Sequence, residues 1–108
     1  MKVYISGPIT GTDDYMQRFG AAAEKLFRSG YVAVNPAEVN SKLPASTTYE
    51  EYMKMSICML DMCEAIYMLD GWEKSRGANR EYGYALGQKK LIIFDEDTPF
   101  VIIERGMQ

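Results

Sequence analysis

The stretch "AIYMLDGWEKSRGANREYGYALGQKKLIIF" occupies residues 65–94 of a 108-residue chain. It opens on the apolar run "AIYML" and closes on "KLIIF", both of a length and composition that suit buried strands. Between them lie a loop, "DGWEKSRGA", and a helix-forming stretch from about Ala78 to Gln88. Strand, loop, helix and strand in that order make one unit of a parallel α/β sheet. One residue fits this scaffold poorly. Glu81 stands alone among glycines and alanines, an arrangement that a helix serving only to cover a sheet does not need.

The same alternation continues toward the N-terminus. "KVYIS" (residues 2–6) is a first strand that ends at Gly7-Pro8, and "GPITGTDD" is the loop after it, with Thr12 or Asp13 placed to cap a helix. Phe19, Ala22, Ala23, Leu26 and Phe27 recur at intervals of three and four, which predicts a helix closed by Ser29-Gly30. "YVAVNP" is a second strand, and "AEVNSKLPASTT" reads as a loop. A second helix starts near Thr47 or Thr48, with Glu50 and Glu51 in its first turn and Tyr52, Met53, Ser56, Met59, Leu60 and Cys63 along one side. "FVIIE" near the end is a fifth strand or a terminal arm. The predicted fold is therefore α/β, a flavodoxin- or Rossmann-like three-layer sandwich. Its parallel sheet has four to five strands in the order 2-1-3-4(-5). The length suits one domain over residues 1–108.

Composition narrows the function classes. A net charge of -3 and a pI near 4.9 argue against a nucleic-acid polymer as partner, since that surface is normally basic. No apolar run approaches the roughly 20 residues of a membrane span, and "MKVYISG" reads as a strand and not a signal peptide, so a cytoplasmic location is expected. Histidine is absent. Catalysis then has to rest on carboxylates, hydroxyls, tyrosines or backbone dipoles, with no metal and no cofactor expected. Cys58 and Cys63, five apart in one helix, fall on different faces and do not suit a disulfide.

In an open sheet of this order the chain reverses direction between strands one and three, and ligands collect at the strand ends beside that reversal. "GPITG" and "DGWEKSRGA" lie there. Glu81, about one turn into its helix, is expected to be held ionised by the helix's amino end and able to attack an electrophilic carbon; a solvated glutamate that only stabilises the helix is the plainer reading. Gly7, Pro8 and Gly11 allow backbone amides near a ligand, or simply make a turn. Ser75 offers a hydroxyl, or is an ordinary loop residue. Gly77 and Ala78 leave room beside Glu81. Tyr4 points to the core or to the crevice, and Trp72 stacks on a planar base or closes an apolar rim. Asp70 ends strand three, where crevice residues stand.

"KVYISGPITG", together with "CEAIYMLDGWEKSRGANREYGYALGQKKLIIF", resembles the nucleoside 2-deoxyribosyltransferase superfamily, and within it a small bacterial and phage branch bearing "GWEKSRGA". The resemblance runs from Lys2 to about Phe94. The superfamily also includes 2-deoxynucleoside 5-monophosphate N-glycosidases. The resemblance implies that Glu81 is a nucleophile, oriented by Tyr4, and that Ser75 helps hold a 5-phosphate. It also implies that Gly7, Pro8, Ile9, Thr10 and Gly11 close over the sugar. Two departures stand out. Ser56 occupies a position where relatives carry an aspartate that assists departure of the base, leaving Asp70 or Glu73 to take that part. The first loop also lacks the arginine of the monophosphate enzymes.

The expectation is cleavage or transfer of an N-glycosidic bond in a (deoxy)nucleoside or nucleoside monophosphate, through a carboxylate nucleophile. The alternatives are a non-catalytic nucleotide-binding or sensing module, suggested by Ser56, and an NAD or ADP-ribose glycohydrolase. The expected partner is a small nucleoside or nucleotide, and the resemblance implies a homodimer or higher homo-oligomer.

Overall fold

Strand β1 (Lys2–Ser6) is central, and every one of its residues after Lys2 is buried. A strand turns successive side chains to opposite faces. Val3 and Ile5 enter one apolar cluster and Tyr4 the other, so the strand divides the interior into two cores. The computed structural model describes residues 1–95 and the backbone of residues 102–103. Around β1 the chain sets β2 (Val32–Val34), β3 (Ala65–Met68), β4 (Leu91–Phe94) and β5 (Ile102–Ile103), in the order β2-β1-β3-β4-β5. The first four strands are parallel, with Tyr4 opposite Val34 on one side and Ile66 on the other. β5 runs antiparallel against β4, so the parallel part of the sheet stops at four strands. The remainder of "FVIIE" lies outside the described residues.

Helix α1 (Tyr15–Arg28) covers the face of Val3 and Ile5 with Phe19, Ala22 and Leu26. Its buried positions are three and four apart, as the periodicity requires. Phe27, expected on that stripe, is 74% exposed, because the stripe passes through Leu26 and the next residue is turned away by about 100°. Neither Thr12 nor Asp13 caps this helix. Asp14 occupies the capping position without a side-chain bond, and Thr12 Oγ1 donates instead to the Ile9 carbonyl at 3.0 Å. Gly30, at φ +91°, adopts the left-handed conformation that ends the helix, as Ser29-Gly30 foretold.

The stretch read as a loop after β2 contains a short helix, α2 (Pro36–Asn40). Asn35 caps it by accepting from the Ala37 N–H at 3.0 Å, and Pro36 supplies the preset φ of a first helical residue. Helix α3 (Tyr49–Asp61), the second helix of the sequence reading, starts with a reciprocal capping box between Thr48 and Glu51. Met53, Ser56, Met59 and Leu60 are its buried residues. Helix α4 (Arg76–Gly87) follows a single 3-10 turn (Trp72–Lys74) and begins two residues before the expected Ala78, because Ser75 accepts from the Ala78 N–H at 3.1 Å and caps it there. Both cysteines are free, Cys58 exposed and Cys63 buried. Among the described residues no helix is long and apolar enough to cross a membrane.

Candidate active site

Tyr4 and Ser6 share one face of β1, two residues apart, and α4 brings Glu81 down onto them. The Tyr4 hydroxyl donates to Glu81 Oε2 at 2.7 Å, and Ser6 Oγ donates to Oε1 at 2.5 Å. Tyr4 is 0%, Ser6 1% and Glu81 7% exposed, so this is a carboxyl group taken almost wholly out of water and met by two hydroxyls. Burial pushes the Glu81 carboxyl up from its ordinary 4.5 to about 7; the hydrogen bonds from Ser6 and Tyr4, and the Arg80 charge, pull the other way and only partly offset it. The Tyr4 phenol is held well above 10 by its own burial and then by the neighbouring Glu81 carboxylate, so it stays protonated as a donor.

The expected electrostatics of Glu81 are thus corrected. With α4 beginning at Arg76, Glu81 falls in its second turn, past the unpaired N–H groups where a helix favours an anion. Its ionised form is supported by two side-chain donors and not by the helix end.

Above Glu81 opens a cavity of about 420 Å³. Its rim and walls include Gly7, Ile9 and Thr10 from the loop after β1, Ser75, Gly77 and Ala78 from the start of α4, and Tyr4 and Glu81 at its floor. Gly7 is required by packing. A Cβ there would lie 2.8 Å from the Leu69 side chain, so only glycine lets the loop leave β1 this close to β3. Ser75 lines the cavity while its hydroxyl caps α4.

Four expected residues stand elsewhere. Pro8 and Gly11 are absent from the cavity lining, and Gly11 turns outward at φ +82° with open space around it. Trp72 packs against the second apolar core, its ring centroid 4.6 Å from that of Tyr82 and 6.4 Å from that of Phe94. Asp70 is exposed; its carbonyl accepts from Arg18 at 2.6 Å and its N–H meets Asp95 at 3.4 Å. Arg18 belongs to α1, so Asp70 leaves the sheet toward the α1 face and away from Glu81. Glu73, the other candidate replacement for the missing aspartate, also lies outside the lining.

Of the opposite wall, only Ser56 was foreseen as a site position. Pro36, Ala37 and Asn40 of α2, Ser41 and Leu43 after it, and Tyr49, Tyr52, Met53 and Ser56 of α3 form it, and Ile5, Tyr15 and Phe19 also reach the cavity. Ser6 was visible only as a polar residue two places after Tyr4, at the end of the run "VYI". Nothing in the sequence marked Asn40, because the helix that carries it was read as a loop.

Comparison with known proteins gives the fold a class. The solved 2-deoxyribosyltransferase from the psychrotolerant bacterium Bacillus psychrosaccharolyticus matches at a TM-score of 0.70 with 15% identity, over 87% of this chain and 71% of that one. The CMP N-glycosidase BcmB of Clostridium botulinum matches at a TM-score of 0.62 with 17% identity, over 87% and 70%. Both likenesses show a shared α/β fold. By sequence the chain belongs to DUF4406, a family described as a domain of unknown function, whose model matches residues 1–94. No curated protein matches it.

Proposed function

We propose that this protein cleaves or transfers the N-glycosidic bond of a (deoxy)nucleoside or nucleoside monophosphate, with Glu81 as the nucleophile. The observation that carries the reading is the buried carboxyl of Glu81 at the floor of a 420 Å³ cavity, each oxygen held by one hydroxyl. A cavity of this size suits a small ligand. The names of the two structural neighbours, a deoxyribosyltransferase and a CMP N-glycosidase, support the same reaction class.

In the reaction a Glu81 oxygen attacks the anomeric carbon as the C–N bond breaks. The base departs with the electron pair of that bond and takes a proton from water. The oxocarbenium-like charge that develops on the sugar is stabilised by the adjacent carboxylate, which then forms a glycosyl ester. Water or a second base attacks the same carbon and releases the carboxylate, giving hydrolysis or transfer. Tyr4 and Ser6 hold the carboxyl plane and favour its ionised state. Gly7, Ile9, Thr10, Ser75, Gly77 and Ala78 surround the sugar end. Because only the ionised carboxyl attacks, turnover rises with pH through about 7. The assembly is proposed to be a homodimer or higher homo-oligomer, which sedimentation tests.

Liberation of free base from a panel of deoxynucleosides, their monophosphates and NAD, followed by chromatography, tests the reading. Release that disappears in Glu81→Gln is expected. Absence of release across the panel at high protein concentration overturns it. Saturable binding of an intact nucleotide without release favours the second reading, a binding module. Ser56 supports that reading, standing in the cavity where a carboxyl would assist departure of the base.

A further inference from the structure

The wall of the cavity contributed by α2 and α3 differs from the sugar side. Pro36, Leu43, Tyr52 and Met53 give it apolar surface, and Asn40 is the one amide among them, beside the hydroxyls of Ser41, Tyr49 and Ser56. Apolar surface with a few polar groups suits the face and edge of a heteroaromatic ring.

One hydrogen bond decides which atom of Asn40 is available. Its Nδ2 donates to the Ser56 hydroxyl at 3.4 Å, and Oδ1 is left over. That Oδ1 is buried with no hydrogen-bond partner among the described residues. A buried acceptor without a donor is an unfavourable state that an arriving N–H relieves. Asn40 and Glu81 line the same cavity, so a nucleobase can stand between the two.

We propose that Asn40 reads the far edge of the nucleobase through Oδ1 and selects bases bearing an amino group there, cytosine or adenine, over those bearing an oxo group, uracil or hypoxanthine. An amino group donates to Oδ1; an oxo group sets two acceptors against each other and leaves both unpaired. The proposal rests on the glycosidic reading for the position of the sugar, and its test separates the two.

The first arm compares kcat/KM for base release from deoxycytidine against deoxyuridine, and from deoxyadenosine against deoxyinosine. The second measures binding of the four free bases by protein NMR, which needs no turnover. The intact protein is expected to favour the amino member of each pair by about tenfold or more. Asn40→Ala is expected to bring each pair within about twofold, while a circular-dichroism melt checks that it is folded; Asn40→Ser serves if it is not. Equal or better use of the oxo member, an unchanged preference in a folded variant, or no binding of any base overturns the proposal. Preferential binding of amino bases without cleavage of any nucleoside keeps it and removes the glycosidic reading. Cleavage without preference does the reverse.

Discussion

The two faces of the central sheet are both dry, yet they hold different chemistry. On the α1 side Val3, Ile5, Phe19, Leu26 and Ile93 pack hydrocarbon on hydrocarbon. On the other side the same strand turns Tyr4 and Ser6 inward, and α4 answers with Glu81. One face gains stability from every group it buries. The other gives some up, because a carboxyl removed from water is destabilised in its charged form even when two hydroxyls donate to it. The difference teaches that the polar trio is not there to hold the fold, which the α1 face does more effectively. Its place at a cavity floor supplies the reason for it.

The largest effect that would sharpen this contrast is on the apolar side. Leu26→Ala, on that face and away from the cavity, should destabilise the protein by about 3–5 kcal/mol in urea unfolding, with no change in how stability depends on pH. A pH-dependent loss there would break the comparison.

Next in size is the pH response of the other face. The Glu81 carboxyl titrates at about 7 folded and near 4.5 unfolded. Below 4.5 it is protonated in both states and exacts no charge penalty. As pH rises, the unfolded chain ionises first, so stability falls between 4.5 and about 7 and is lower by about 3 kcal/mol above that window. The difference in unfolding free energy between the natural protein and Glu81→Gln, measured at pH 5 and pH 8, should move by about that amount. A flat difference would mean that the carboxyl is not buried as described.

Smaller again is the effect of one donor. Tyr4→Phe removes a hydrogen bond that favours the ionised carboxyl, so the midpoint of base release against pH should move upward by about one pH unit. A downward move would show that the phenol opposes ionisation. The smallest effect lies off both faces. Thr48→Ala opens the capping box of α3 and should lower stability by about 1 kcal/mol, leaving the pH profile in place.

Much of this contrast was legible in the sequence, and the rest was hidden for identifiable reasons. The strands announced themselves through short apolar runs, and Phe19, Ala22 and Leu26 through their spacing, because burial on a sheet requires those periods. Glu81 and Tyr4 were singled out, although the sequence left open whether Tyr4 faced the core or the crevice; it does both, its ring in the core and its hydroxyl on the carboxyl. The five residues of α2 carry too few positions for a period, and "NP" with later turn residues looks like a loop, so Asn40 was missed. Asp70 and Trp72 share a loop with Ser75, and only the path of the backbone sends the first toward α1 and the second against Tyr82. The start of α4 was misplaced by two residues because Ser75 caps it through a side-chain bond that composition does not reveal. That small displacement carried Glu81 from the first turn to the second and reversed the account of its charge.

The central claim is that Glu81 forms a covalent bond to a sugar. Incubation with a 2-deoxy-2-fluoroarabinosyl nucleoside, whose fluorine slows breakdown of a glycosyl ester, followed by peptide mass spectrometry, tests it most directly. A fluorosugar adduct confined to Glu81, formed together with one equivalent of free base and absent from Glu81→Gln, is the predicted result. Base release with the adduct on another residue, or an unreacted Glu81 after complete release of base without any adduct in a stopped reaction, would contradict it.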